Sequence, residues 1–169
     1  MIKLVISRIL TNQSRVTEDN SKVNSDCGSG WVKRAGSNSC YMFEVSSKED
    51  WQTADKLCIS LNGTLAILET EEEIVWMYGY RSFHEHLRSN TWIGGFKSEG
   101  DWYWKTTTGN NSIAFLDWAA RQPDNHGGSQ NCLALFGEFT INNIPVAKTW
   151  FRFDDDTCPV KNSYVCERN

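Results

Sequence analysis

No apolar run in this chain approaches the ~20 residues that a membrane-spanning helix requires. Positive charge is also scarce. Seventeen Lys and Arg stand against 21 Asp and Glu, for a net charge of −4. That balance argues against a nucleic-acid binder, which would normally show a basic face. There is no Cys-x-x-Cys pair and no His at zinc spacing beside a cysteine, so the cysteines do not read as a zinc site. A Gly-rich phosphate loop and a nucleophile motif are missing as well. His84 and His86 stand two apart, whereas a metalloprotease helix needs i and i+4. With none of these present, no enzyme is expected.

What is present points to an extracellular protein. All six cysteines fall between positions 27 and 166 (Cys27, Cys40, Cys58, Cys132, Cys158 and Cys166). An even set of this kind implies a disulfide framework and an oxidising compartment, although six cysteines allow fifteen pairings. Sequons at Asn12, Asn62 and Asn110 agree with secretion. The opening "MIKLVISRIL" has a shorter apolar run than the ~7–15 residues of a signal-peptide core, and no small-residue cleavage site follows it. Residues 1–26 are therefore expected to be a flexible leader or a degenerate signal, and residues 27–169 a single domain. The chain is 40% apolar and holds eight tryptophans, enough for a sizeable core.

The segment from Cys27 to Val45 reads as a hairpin that a Cys27–Cys40 bridge would close, contributing about 3 kcal/mol on a chain-entropy model. "SSKEDWQTADKLCISLNG" reads as a helix capped by Ser46 with Glu49 or Ser47 with Asp50 and stopped by Asn62-Gly63. Trp51, Ala54, Leu57 and Cys58 would form its apolar face. "TLAIL" reads as a short strand. A second helix, "TEEEIVWMYGYRSFHEHL", has a Thr70/Glu73 capping box and a face of Ile74, Met77, Tyr78 and Arg81. "TWIGGF" and "DWYWKT" are strands split by the turn "KSEG". Regular signals then fade from Thr106 to about Phe153, except for a strand at "NCLALF"; "SYVCE" closes the chain as a strand. The class is α+β with a long irregular stretch, and such a stretch inside a compact domain is often functional.

The irregular stretch contains "QPDNHGGSQNC", Gln122 to Cys132, which is rich in amide and carboxylate oxygens. Taken in order, Cys27, Cys40, "WQTADKLC", "WIGG", "QPD", "QNC", "FDDDTC" and "YVCE" resemble a C-type lectin-like domain of the long, six-cysteine form. The resemblance covers about residues 27–168. It implies two helices flanking two small antiparallel sheets, a long irregular ligand-binding loop region, and the disulfides Cys27–Cys40, Cys58–Cys166 and Cys132–Cys158.

The resemblance also implies a calcium site. Calcium takes six to eight hard oxygen ligands. Transferred residue by residue, the ligands would be Gln122, Asp124, Gln130, Asp154 and Asp155, with a cis Gln122–Pro123 bond turning the first two toward one point. Two neighbouring sugar hydroxyls would complete the ion's shell, bonded by Gln122, Asp124, Gln130 and Asp154. His126 occupies the position where galactose-binding members carry a stacking aromatic, and Trp150 and Phe151 are other ring candidates. The family usually has Glu where this chain has Gln130, Asn where it has Asp154, and Trp where it has Phe153. The first two changes compensate, leaving three carboxylates in the set. "QPD" implies galactose or N-acetylgalactosamine. The Gln130/Asp154 exchange, however, swaps acid and amide on the other side of the ion, and that double swap points back to mannose or N-acetylglucosamine. A third expectation is a calcium-independent module for protein, ice or mineral. Glycan partners, with avidity from a homo-oligomer, complete the reading.

Overall fold

The computed structural model describes residues 27–137, 140–141, 144–145 and 152–169. The expected leader over residues 1–26, the Asn12 sequon, Trp150 and Phe151 lie outside the described residues.

Strand β1 (Val32–Lys33) pairs antiparallel with β2 (Cys40–Glu49), forming the expected hairpin. Helix α1 (Trp51–Ser60) follows at once. Its cap differs from the expected one. Ser46 and Ser47 belong to β2, whereas Asp50 accepts the Thr53 N–H at 3.0 Å. Asp50 is the last residue before the helix with a short acceptor side chain, and β2 runs on through both serines because it is held against the C-terminal strand. Trp51, Ala54, Asp55 and Cys58 face inward, but Leu57 is 36% exposed and lies off that face. Buried Asp55 is paired with Lys105 Nζ at 2.7 Å.

Strand β3 (Thr64–Leu65) is shorter than the "TLAIL" expectation. Helix α2 (Glu71–Phe83) begins at Thr70, whose hydroxyl accepts the Glu73 N–H, with three glutamates in its first turn. The Glu73 carboxylate turns inward, accepting from the Glu69 N–H and from the Tyr41 hydroxyl. Ile74, Met77 and Arg81 are buried, and Tyr78 is half-buried. Arg81 donates to the Leu87 and Ser89 carbonyls, fastening the connection into β4 (Thr91–Ser98). A turn with positive φ at Glu99 and Gly100 joins β4 to β5 (Asp101–Thr106), the geometry of a two-residue hairpin. In "WIGG", a Cβ on Gly94 would lie 2.9 Å from the Leu65 carbonyl oxygen, and one on Gly95 would lie 2.4 Å from Leu133 Cδ2. Both glycines are needed because β3 and a later strand press onto β4.

The stretch without regular signals contains more strand than expected. It holds β6 (Gly109–Ser112), β7 (Gln130–Leu135), β8 (Thr140–Ile141), β9 (Ile144–Pro145) and β10 (Phe153–Thr157), before β11 (Asn162–Arg168) closes the chain. The main sheet runs β1-β2-β11-β4-β5-β6, with β3 on β11, β7 on β4 and β10 on β7; β8 and β9 form a separate pair. The expected antiparallel sheets are joined by a parallel β11–β4 contact. The three expected disulfides are all present. Cys58–Cys166 ties α1 to the last strand across 108 residues. Cys132–Cys158 ties the start of β7 to the end of β10.

Candidate functional site

The β7–β10 pair is the platform of the site. Antiparallel register sets Asp154 against Ala134, Asp155 against Leu133 and Thr157 against Gln130. The loop ahead of β7 is pinned to the same platform at its entry. The Phe153 N–H donates to the Asp117 carbonyl at 3.0 Å, and the Ala119 N–H donates to the Phe153 carbonyl at 2.8 Å. The chain then passes through the cis Gln122–Pro123 bond, with Arg121 and Asn125 in left-handed conformations, φ 72° and 45°. Asparagine is among the residues that tolerate that region best.

Three successive backbone amides gather the expected ligands. The Asp124 N–H meets Gln122 Oε1 at 2.8 Å and Asp155 Oδ1 at 3.0 Å. The Asn125 N–H donates to Asp155 Oδ2 at 2.9 Å. The His126 N–H lies against both Asp124 Oδ1, at 3.0 Å, and Gln130 Oε1. Asn125 Oδ1 accepts the Gln130 N–H at 3.1 Å, closing the loop into a ring. Gln122, Asp124, Gln130 and Asp155 are thereby drawn into one cluster. The fifth expected residue joins it electrostatically. Burial, together with the charges of Asp156, Asp155 and Asp124, pushes the Asp154 carboxyl up to about 7. Asp154 is 6% exposed and its Oδ1 has no hydrogen-bond partner. Asp155 is 1% exposed and fully engaged by the loop amides.

This donor set fits a hard divalent cation. It offers carboxylate and amide oxygens only, its negative charges repel one another, and one buried carboxylate oxygen is unpartnered. Among the described residues, no three His, Cys, Asp or Glu side chains converge into a metal cluster of their own. Two of the five donors are glutamines, and the Asp155 carboxylate faces backbone N–H groups. The His126 imidazole is on an exposed residue; what this position brings to the loop is its backbone N–H.

Sequence reasoning did not find the amides of residues 124–126, the Asn125 latch or Asp156, which accepts from Asn162 Nδ2 at 3.0 Å. The turn-forming run Asn125-His126-Gly127-Gly128 was the available signal for the latch.

The family model described as the lectin C-type domain matches residues 47–168. The chain belongs to the C-type lectin domain family. That family is one of non-catalytic recognition domains, so the expectation that this is not an enzyme stands on membership. Mouse asialoglycoprotein receptor 1 is 30% identical over 174 residues, covering 98% of this chain and 54% of the receptor. The galactose-specific lectin nattectin of Thalassophryne nattereri is 28% identical over 160 residues, covering 88% of this chain and 84% of that protein. Among solved structures, the calcium-independent C-type lectin SPL-2 from Saxidomus purpuratus matches with a TM-score of 0.66 at 25% identity, covering 85% of this chain and 94% of that chain. The chain spans about half the length of the asialoglycoprotein receptors it matches.

Proposed function

We propose that residues 27–169 form an extracellular, calcium-dependent carbohydrate-recognition unit. Its site would be Gln122, Asp124, Gln130, Asp154 and Asp155. The observation that carries this reading is the cluster itself: three adjacent amides hold four of the five oxygen-bearing side chains, beside a buried carboxylate with an unpartnered oxygen. A bound calcium ion would supply the anchor that two vicinal sugar hydroxyls ligate. The remaining work belongs to the side chains. Gln122 Oε1 accepts the Asp124 N–H and Gln130 Oε1 lies against the His126 N–H, so each amide keeps its Nε2 as a donor to a hydroxyl. Asp124 and Asp154 accept.

The favoured sugars are galactose and N-acetylgalactosamine, following the Gln-Pro-Asp arrangement and the galactose specificity named for nattectin. A specific observation favours a second reading, mannose or N-acetylglucosamine. Gln130 and Asp154 exchange acid and amide on the other side of the site, and the short loop offers the exposed His126 where galactose binding would want a broad ring. A single sugar buries little area and is held weakly. Glycoproteins or cell surfaces bearing many terminal sugars are the expected partners, with avidity from oligomerisation.

Retention on immobilised galactose and mannose, with and without a chelator, tests the proposal. Calcium-dependent retention on one resin, absent in Asp155→Ala, is expected. Retention that survives chelation would replace it with the calcium-independent reading that SPL-2 exemplifies.

A further inference from the structure

The sequons are the motif that the lectin reading leaves unused. Two of them lie within the described residues, and they differ in how open they are. At Asn62-Gly63-Thr64, Asn62 is exposed, but Gly63 is buried. A Cβ at Gly63 would lie 2.4 Å from the Glu167 carbonyl oxygen, and Thr64 is half-buried and paired with Glu167 in the sheet. The middle and third positions of that sequon are therefore built into the fold. At Asn110-Asn111-Ser112 the reverse holds. All three residues are exposed, on β6 at the end of the main sheet, and among the described residues β6 pairs with β5 alone.

The strand geometry adds a directional argument. Side chains alternate across a strand, so Asn110 and Ser112 share one face and Asn111 takes the other. Asn110 stands opposite Lys105 and Ser112 opposite Tyr103. Asn111 turns toward a polar cavity of about 520 Å³ that it lines together with Asn62, Thr64 and Arg168. The acceptor amide and the hydroxyl two residues on thus project together into solvent. The side chain of Asn110 has no hydrogen-bond partner among the described residues. None of the five candidate ligand residues lines that cavity or belongs to β6, so a bulky group there leaves the loop of residues 122–130 clear. Three disulfides independently place folding in an oxidising compartment, where oligosaccharide transfer to such motifs takes place.

We propose that Asn110 is a site of asparagine-linked glycosylation. In the transfer, Asn110 Nδ2 forms the bond to C1 of an oligosaccharide carried on a lipid pyrophosphate. The C1–oxygen bond to that carrier breaks, and the lipid pyrophosphate and the amide proton leave. The glycan then covers the edge of β6 that no described strand pairs, an edge that would otherwise invite strand addition.

The test is secretion of the full chain from a eukaryotic host behind a cleavable signal, followed by site mapping with an amidase that releases N-glycans. The expected result is conversion of Asn110 to Asp in the treated wild type, and loss of one mobility step in both Asn110→Gln and Ser112→Ala. Site mapping on the wild type decides the matter even if a variant is poorly secreted. Secreted, disulfide-intact wild type with Asn110 unmodified overturns the proposal, as does a mobility step lost only in Asn62→Gln.

Discussion

Asp155 carries two loads at once. Its two carboxylate oxygens accept the Asp124 and Asn125 amides, and in the proposed function it is also a calcium ligand. Asp155→Ala is therefore expected to abolish calcium-dependent sugar retention and to lower stability by about 3–6 kcal/mol, since the two hydrogen bonds to its charged carboxylate contribute about 1.5–3 kcal/mol each. Denaturant unfolding alongside the retention assay checks both effects. Asp154 contributes charge without hydrogen bonding through Oδ1. Asp154→Asn removes one of three carboxylates and is expected to weaken calcium binding by about tenfold or more, because an opposite charge at contact is worth several kcal/mol at moderate dielectric. Gln130→Glu should strengthen it, and calcium titrations of the two variants give opposite shifts if the paired exchange is compensatory. Glu167 sets a pH dependence away from the loop. Burial, with the charge of Glu73, raises its carboxyl to about 7. The folded state then holds a proton that the unfolded chain has released, so metal-free stability falls as pH rises from about 4.5 to about 7. Asp154 acts in the same direction. Glu167→Gln should therefore reduce the slope without abolishing it, as thermal unfolding across that pH range in chelator would show.

At the scale of elements, the cap of α1 is the clearest test of local sequence logic. Asp50→Ala is expected to cost about 1 kcal/mol, whereas Ser46→Ala and Ser47→Ala leave the helix N-terminus unchanged. Gly95→Ala should cost about 1–3 kcal/mol, because its new methyl meets Leu133 on the strand that begins at Gln130. The two helices were legible in the sequence because periodicity and stop signals are local. Thr70 was legible as a cap for the same reason; the serines were not legible as strand, because they lie between Glu44 and Glu49, the β2 residues on either side that pair with β11. Gly-Asn-Asn-Ser and Phe-Asp-Asp-Asp-Thr gave no strand signal either, holding almost no β-forming residues. They become β6 and β10 through their partners β5 and β7. In the candidate site, the five side chains were named from the resemblance, which places its ligands relative to a proline and to cysteines; what the structure adds is that four of them meet adjacent backbone amides. The amides of residues 124–126 were not legible, because a backbone N–H leaves no mark in a sequence.

Across the whole molecule, the disulfides make the loop platform a fixed part of the fold. Cys132–Cys158 holds β7 and β10 together beside the candidate ligands, and Cys58–Cys166 closes nearly the entire domain. Replacing Cys58 and Cys166 together with Ala is expected to lower stability by about 4–5 kcal/mol, the chain-entropy value for a loop of about a hundred residues. Such a loss is a large fraction of the stability of a typical domain. The central claim is that this fixed platform holds a calcium ion at Gln122, Asp124, Gln130, Asp154 and Asp155. Calorimetric titration of calcium into the metal-free full chain, with Asp155→Ala beside it, tests that claim most directly. The wild type is expected to take up an ion that the variant does not, with a matching rise in thermal stability. Identical titrations of the two proteins, or no uptake by the folded wild type, would contradict it.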